Sequence, residues 1–376
     1  MQREEFLRPR TGTITDVAPG VRRMHIVERE GPWTIDVVTV DLRQCGCEFR
    51  QVRARDSVAG REKLTSMVAR QKEGAGAVLA AINADFFNLT TGESENNVVI
   101  GGEWWKGNRG TDNTRSQFGV SAEGKPLIDR FTLHGTAIRR RAAFPVTAVN
   151  FFPRAGEQTV LFTPRYGRTP VDSSRPRAEL FLRRVGARGD TAIFVQVGGQ
   201  LKPIGGNAVP FDGAILTTVG PRATLVGQFL DGDTIRVVLR AAGSRGDGPR
   251  YSPQLLIGGW PRILRAGRNV AGEAPWDEAT GSSNAEVRHP RSAIGFNRDS
   301  SQVFLVSVDG RQAASVGMTL IELADLMKDL GAWDALNFDG GGSTTLVVKG
   351  TIVNHPSDAV GEREIANALL VVRKQR

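Results

Sequence analysis

The chain has 376 residues, enough for one large domain or two ordinary ones and for a sizeable core. With 40% hydrophobic and 24% charged residues it has globular composition, and no apolar run approaches the roughly 18 residues of a membrane-spanning helix. The net charge of +9 comes from arginine scattered along the chain, without basic runs interleaved with aromatics, which argues against nucleic acid and suits an anionic substrate.

The N-terminal "MQREEFLRPR" has no apolar core, so no signal peptide is legible there. Residues 1 to about 20 are polar and read as a loose lead-in. From Val21 onward "MHIVER", "WTIDVVTVDL" and "CEFRQVRA" alternate apolar and polar residues, the pattern of a half-buried sheet. Cys45 and Cys47 stand as Cys-Gly-Cys. Two ligands do not complete a structural zinc site, and a disulfide across one residue has unfavourable geometry, so both read as ordinary strand residues. In "SVAGREKLTSMVARQKEG", Leu64, Met67 and Val68 fall at helical spacing and Gly74 supplies a stop. "AVLAAINADFF" then reads as a buried strand entering a turn.

Residues 1–75 thus form a β/helix lead-in and 76–376 the main domain. Within it, 110–250 is an irregular β-rich insertion or subdomain, with short strands such as "TAIFVQV", "GAILTTV" and "TIRVVLRA" between Gly/Pro turns. The C-terminal part returns to strands in "SAIGFN" and "VFLVSVDG". "GMTLIELADLMKDLGAW" is the clearest helix: Leu320, Leu323, Ala324, Met327 and Leu330 share a face, Thr319 and Glu322 have capping-box spacing, and Gly331 ends it. "ALNFD", "GGGS" and "TTLVV" follow as strand, turn and strand. The fold class expected is α+β, a mixed and mostly β-sheet core with a few packed helices.

Three stretches carry chemistry. In "LNFDGGGSTTLVV" a strand delivers Asp339 to three glycines, whose N–H groups no Cβ shields, and then to hydroxyl donors. No lysine follows the glycines, so it is not a Walker loop. A tight hairpin needing only small residues is the structural alternative. In "INADFFNLTTGESENNVVIGGEW", Asn83 and Asp85 end a buried apolar run, where polar groups are costly unless partnered or used. In "RHPRSAIGFN", Arg291 precedes a strand and is suited to gripping a phosphate in bidentate fashion.

Taken together, "NADFFN…TGE…NVV", "GGWPRILRAG", "RSAIGF", "VDGR", "GMTLIELADLM", "ALNFDGGGSTTLVV" and "NHPSD" resemble the phosphodiester glycosidases in content and order. The resemblance runs from about residue 77 to the C-terminus, strongest over 255–372 and thin over 110–250. It implies hydrolysis of a sugar 1-phosphodiester, such as one of N-acetylglucosamine, to free sugar and phosphomonoester. The first motif departs from the Gly-Gly-Tyr type of the animal members, which leaves the sugar open.

On that basis the catalytic candidates are Asp339 as nucleophile or base, Asp85 or Glu93 as its partner, and Arg291 on the phosphate. The substrate-binding candidates are Asn83, Asp309, Asn337, Gly340, Gly341, Gly342, Ser343, Thr344 and Asn354. His289 and His355 are expected beside the site rather than in the chemistry. No cofactor is required; if a metal binds, the carboxylate and amide oxygens suit a hard cation such as Ca²⁺. The expected partner is a small-molecule or polysaccharide substrate with a sugar–phosphate linkage, with no nucleic acid and no membrane span, and the oligomeric state is open. The resemblance implies an extracytoplasmic or secreted protein. A polysaccharide-binding or exopolysaccharide-assembly accessory without turnover is the alternative reading. A phosphodiesterase cutting the other P–O bond is disfavoured, since only 4 His are present to build a two-metal site.

Overall fold

The computed structural model describes residues 11–71, 76–108, 115–151, 158–167, 177–202, 206–219, 230–244 and 250–374. The expected helix stop at Gly74 lies outside these. Strands dominate, and the described α-helices are few: α1 (Leu64–Arg70), α2 (Ala274–Asp277), α3 (Ser282–Ala285) and α4 (Leu320–Asp329).

Two sheets pack face to face. In the first, Thr13–Ala18, Val21–Glu28 and Trp33–Asp41 continue into Gln302–Val308, Arg291–Phe296, Asp334–Asn337, Arg262–Arg265 and Arg268–Asn269. N-terminal and C-terminal strands therefore share one sheet, in register Asp36↔Ser307. The second sheet runs Thr351–Ile352, Leu346–Val348, Val78–Asn83, Asn367–Arg373, Cys47–Arg53. Val38, Val40, Ile294 and Leu305 from the first sheet meet Leu79, Ile82, Leu369 and Val371 from the second in one core.

Each sheet is also covered on its outer face. Ile35, Val37, Phe304 and Val306 pack with Leu320, Leu323 and Met327 of helix α4 (Leu320–Asp329). Ala368, Leu370 and Val372 pack with Leu64, Met67 and Val68 of helix α1 (Leu64–Arg70). Period-2 alternation thus sends successive residues of one strand into two different cores, so these strands are apolar on both faces. The layers run helix, sheet, sheet, helix. The helix expected near Leu320 starts with the capping box of Thr319 and Glu322 and ends at Gly331, whose φ is +93°.

The third sheet holds most described strands between Val98 and Tyr251, including Arg177–Arg188, Thr191–Lys202 and Gly213–Val219. It encloses its own core of Leu133, Leu180, Leu216, Ile235 and Val237. The core is mostly β-sheet with a few packed helices, as expected, and the described pairings between strands are antiparallel except the parallel pair of Ala148–Val149 with Gln158–Phe162. Cys45 and Cys47 are joined in a disulfide, with Cα atoms 5.1 Å apart, and are not the unpaired strand residues expected. The turn before strand Cys47–Arg53 brings the two thiols together.

Candidate active site

The glycine turn is not a hairpin. Asp334–Asn337 lies in the first sheet and Leu346–Val348 in the second, so residues 338–345 carry the chain across the interface between the two sheets. Strand Val78–Asn83 lies beside Leu346–Val348, with Ile82 opposite Leu346, and so ends at the same place. Phe338 N–H donates to Ser292 O at 2.8 Å and Asp339 N–H to Ala84 O at 2.7 Å. Asp339 and Asp85 are thereby set side by side from two sheets.

The amides beside them act as fasteners. Asn83 donates to Asp339 O at 2.6 Å and accepts from Ser292 Oγ at 2.6 Å and Thr345 N at 3.0 Å. Asn354 donates to Thr344 O at 3.1 Å and Asp309 Oδ1 at 3.2 Å, and accepts from Leu346 N at 2.7 Å. Asp309 Oδ1 also accepts from His355 N at 2.9 Å. Asp309 ends the neighbouring strand of the first sheet, and burial holds its carboxyl above the usual range. Asn83, Asp309, Asp339, Asn354 and the turn Gly340–Thr344 are thus tied together by hydrogen bonds, and Asp85 adjoins them through Ala84, whose carbonyl accepts from Asp339 N–H.

The other candidates are placed differently. Arg291 is buried with its guanidinium turned from the cluster. It donates to Met318 O at 2.8 Å, Asn284 Oδ1 at 3.0 Å, Asn284 O at 2.5 Å and Val287 O at 3.0 Å. Four of its five donors are engaged, so the expected phosphate grip is corrected to a structural role. Asn337 donates to Trp260 O at 2.7 Å and holds that segment. Glu93 sits on the Asp85 loop in an ion pair with Lys106 at 3.1 Å. Gly341 N–H is not available for an anion, since it donates to Pro290 O at 2.9 Å.

The cations that do surround the cluster are ones the sequence reading did not single out. Arg311 adopts a φ of +60°, rare for a residue with a side chain, and lies over the turn: a Cβ on Gly341 would come 3.1 Å from its Nη2. Arg311 Nη2 is 3.5 Å from His289 Nδ1. Arg363 makes a bidentate pair with Asp358 at 2.7 and 3.0 Å, placed so that a Cβ on Gly342 would collide with both partners. Gly340 is equally constrained, 2.6 Å from Pro290 O at its would-be Cβ. The triple glycine is thus a condition of close approach, by backbone on one side and by two cations on the other. Arg311 was legible only as the last letter of "VDGR", and nothing in the sequence ties Arg363 to Asp339.

Asp85 is buried. Its Oδ1 accepts from Asn96 Nδ2 at 2.6 Å and its Oδ2 from Asn96 N at 3.0 Å, and its carboxyl rests on the bare Cα of Gly258. Its own N–H donates to Asn367 Oδ1 at 2.8 Å. Asn367 in turn donates to Ser94 Oγ, which also receives Arg53, a buried arginine that binds Gly92 O at 3.0 Å. Burial pushes Asp85 up to about 6, against the Asn96 hydrogen bonds and the charges of Lys106 and Arg115. Asp339, half-buried, is likewise pushed up to about 6 by desolvation. The Ser343 hydroxyl beside it and the Arg363 charge oppose that rise, and the Asp85 charge adds to it. The Thr344 and Thr345 hydroxyls are buried without a partner. Two carboxyls raised toward neutral pH, with the Asp85 charge felt at Asp339 and with Arg311 and Arg363 beside the turn, can each hold or release a proton while a negatively charged group is held nearby.

Comparison with known proteins fits this arrangement. The phosphodiester glycosidase family model matches residues 185–372, half of the chain. N-acetylglucosamine-1-phosphodiester alpha-N-acetylglucosaminidase of Bos taurus is 39% identical over 110 residues, 27% of this chain and 20% of its own length. The match thus spans about a fifth of that relative. Among solved structures, a hypothetical protein from Synechocystis superposes with a TM-score of 0.74 at 21% identity, covering 96% of this chain and 64% of that one. A Burkholderia pseudomallei K96243 protein described as exported gives 0.68 at 24% identity over 91% and 74% of the two chains. The two solved structures share the fold, and the family model reaches through the crossover that carries Asp339: the chain belongs to the phosphodiester glycosidase family.

Proposed function

We propose that the protein hydrolyses a sugar 1-phosphodiester of the N-acetylglucosamine type, cleaving between the anomeric carbon and the bridging oxygen to give free sugar and a phosphomonoester. The observation that carries this reading is the pair Asp85–Asp339, both carboxyls near 6, on adjoining backbone and beside Arg311 and Arg363. Asp339, the more exposed of the two, faces the anomeric centre as nucleophile or as base for water. Asp85 holds negative charge behind it, which favours an oxocarbenium-like transition state and keeps the Asp339 proton mobile. A phosphate is a good leaving group, so neutralising it matters more than protonating it. Arg311 and Arg363 take that part in place of Arg291, and the Ser343 and Thr344 hydroxyls line the turn below them. No step requires a metal. The Cys45–Cys47 disulfide suits an oxidising compartment, and with it an extracytoplasmic site of action.

The test is a product assay on UDP-GlcNAc and on GlcNAc-1-phospho-methyl-mannoside in ¹⁸O-labelled water, with and without chelator. Label in the free sugar supports the glycosidase. Label in phosphate moves the cut from the anomeric C–O bond to a P–O bond and removes Asp339 from its role. Loss of turnover with chelator would bring the hard-cation reading back. Sugar binding without turnover of any diester would favour the accessory reading. Arg311→Ala should lower kcat/KM about 100-fold, the scale for removing one preorganised charge on a leaving group. The same substitution should leave hydrolysis of an activated aryl glycoside nearly unchanged, if such a substrate is accepted.

A further inference from the structure

We propose that Arg115 selects the sugar at the acid pair by binding a carboxylate on the sugar ring. A uronic acid 1-phosphodiester would then be taken in preference to its neutral counterpart, whether or not the sugar also bears an N-acetyl group. The inference rests on the reading of Asp339 as the centre of sugar 1-phosphodiester hydrolysis, with the phosphate at Arg311 and Arg363. It concerns the Asp85 end of the pair.

Arg53, Lys106 and Arg115 act on the Asp85 charge, and Arg363 acts on Asp339. Three of these four are committed to the protein itself. Arg53 donates to Val58 O, Gly92 O and Ser94 Oγ. Lys106 donates to Ser94 O and pairs with Glu93, and Arg363 holds Asp358 in bidentate fashion. Arg115 makes no hydrogen bond among the described residues. Its side chain is 31% exposed, and solvent reaches its guanidinium nitrogens, which are neither bonded nor buried. Its ion pair with Glu95 is long, at 3.5 Å, and the Glu95 side chain is itself 43% exposed.

The guanidinium is nevertheless fixed in place. It lies over the Trp260 ring, 4.7 Å from the centroid. Trp260 is pinned in turn: Nε1 donates to Glu278 O at 2.6 Å and its N–H to Asn337 O at 2.7 Å. The buried Glu278 carboxylate also accepts from Ser116 N–H at 2.9 Å and from Ser116 Oγ at 2.7 Å, so the residue after Arg115 is held to the same segment. This stack adjoins the acids. Trp260 follows Gly258, on whose Cα the Asp85 carboxyl rests, and its ring meets that of Phe86, the residue after Asp85, edge-on at 5.6 Å. Stacking occupies a face of the guanidinium and leaves its N–H edges free in the plane, where a carboxylate pairs with them in bidentate fashion. The Glu95 contact already places a carboxylate near those edges. Being too long for a hydrogen bond and open to water, it is readily exchanged for one carried by the sugar.

The probes are UDP-glucuronate and UDP-glucose, two sugar 1-phosphodiesters that differ at C6 alone. Their affinities are measured by titration calorimetry in the Asp339→Asn background, where turnover does not interfere. UDP-glucuronate should bind at least ~10-fold more tightly, the gain expected from a charge-assisted hydrogen-bonded pair. Arg115→Gln should bring that ratio to within about 2-fold of unity, whereas Arg311→Ala, on the phosphate side, should weaken both ligands and keep the ratio. Glu95→Gln removes the competing carboxylate from an exposed position and should widen the preference. Equal affinities, binding of neither nucleotide, a preference that survives Arg115→Gln, or one that narrows in Glu95→Gln would each overturn the proposal. The hydrolase reading fails separately: a preference lost with Arg115, in a protein that hydrolyses neither nucleotide when Asp339 is intact, would uphold the Arg115 assignment and remove the hydrolase.

Discussion

Asp85→Asn offers a direct check on the energetics of the acid pair. The Asp85 carboxyl ionises at about 6 in the folded protein, against 3.8 for the free side chain. That shift of about two units corresponds to about 3 kcal/mol of strain in the charged form. The direction follows from proton binding. Between about pH 4 and pH 6 the folded protein holds a proton that the unfolded chain has released, so stability falls as pH rises through this window. Above it the whole penalty is present; well below it, none. Asparagine keeps the shape and removes the charge. Its amide would face the Asn96 amide as donor to donor, but Asn96 Oδ1 is buried and unpartnered, so a flip of Asn96 restores one hydrogen bond. We allow about 1 kcal/mol for that rearrangement. The variant should therefore be about 2 kcal/mol more stable than the parent at pH 8, and no more stable, or slightly less, at pH 4. Urea unfolding at the two pH values measures this difference. The variant should also lose turnover by three orders of magnitude or so, as for removal of one member of a catalytic unit. An equal change in unfolding free energy at both pH values would refute the reasoning, because it would mean that the folded protein never confines the charge.

Further outcomes follow from the same geometry. The profile of kcat/KM for the parent should rise through a pH near 6, where Asp339 ionises, and not near the usual carboxylate value; a limb near 4 would show that the carboxyl is well hydrated. Gly342→Ala should push the Asp358–Arg363 pair off the turn, lowering kcat by about 10- to 100-fold through misplacement of a charge. Its stability should change by no more than about 1 kcal/mol, since that pair can swing into water. Gly340→Ala meets the Pro290 carbonyl instead of a mobile side chain, so it should be the more destabilising of the two in the same urea assay. Thr319→Ala removes the capping box of α4 and should lower stability by about 1 kcal/mol. KM should stay unchanged in that variant, because α4 packs on the outer face of the first sheet.

What could be read from the chain was whatever rests on neighbours in sequence. The α4 helix was legible because its apolar stripe, its cap and its terminal glycine lie within a dozen or so residues. The acids Asp85 and Asp339 were legible because each ends an apolar run, where an uncompensated carboxylate is too expensive to be accidental. Tertiary structure alone decided which cations lie beside them. Arg291 sits in the more suggestive motif, yet strand register turns it onto the carbonyls of residues 284, 287 and 318, and Arg311 and Arg363 arrive from loops instead. The glycine turn read equally well as a hairpin, because a turn's own residues do not say whether the next strand joins the same sheet. That is fixed by the pairing of Leu346–Val348 with Val78–Asn83, about 260 residues away, and so is the adjacency of the two carboxyls. The raised pKa values belong to the same level: desolvation depends on what closes over a group, and the groups that close over these come from both ends of the chain.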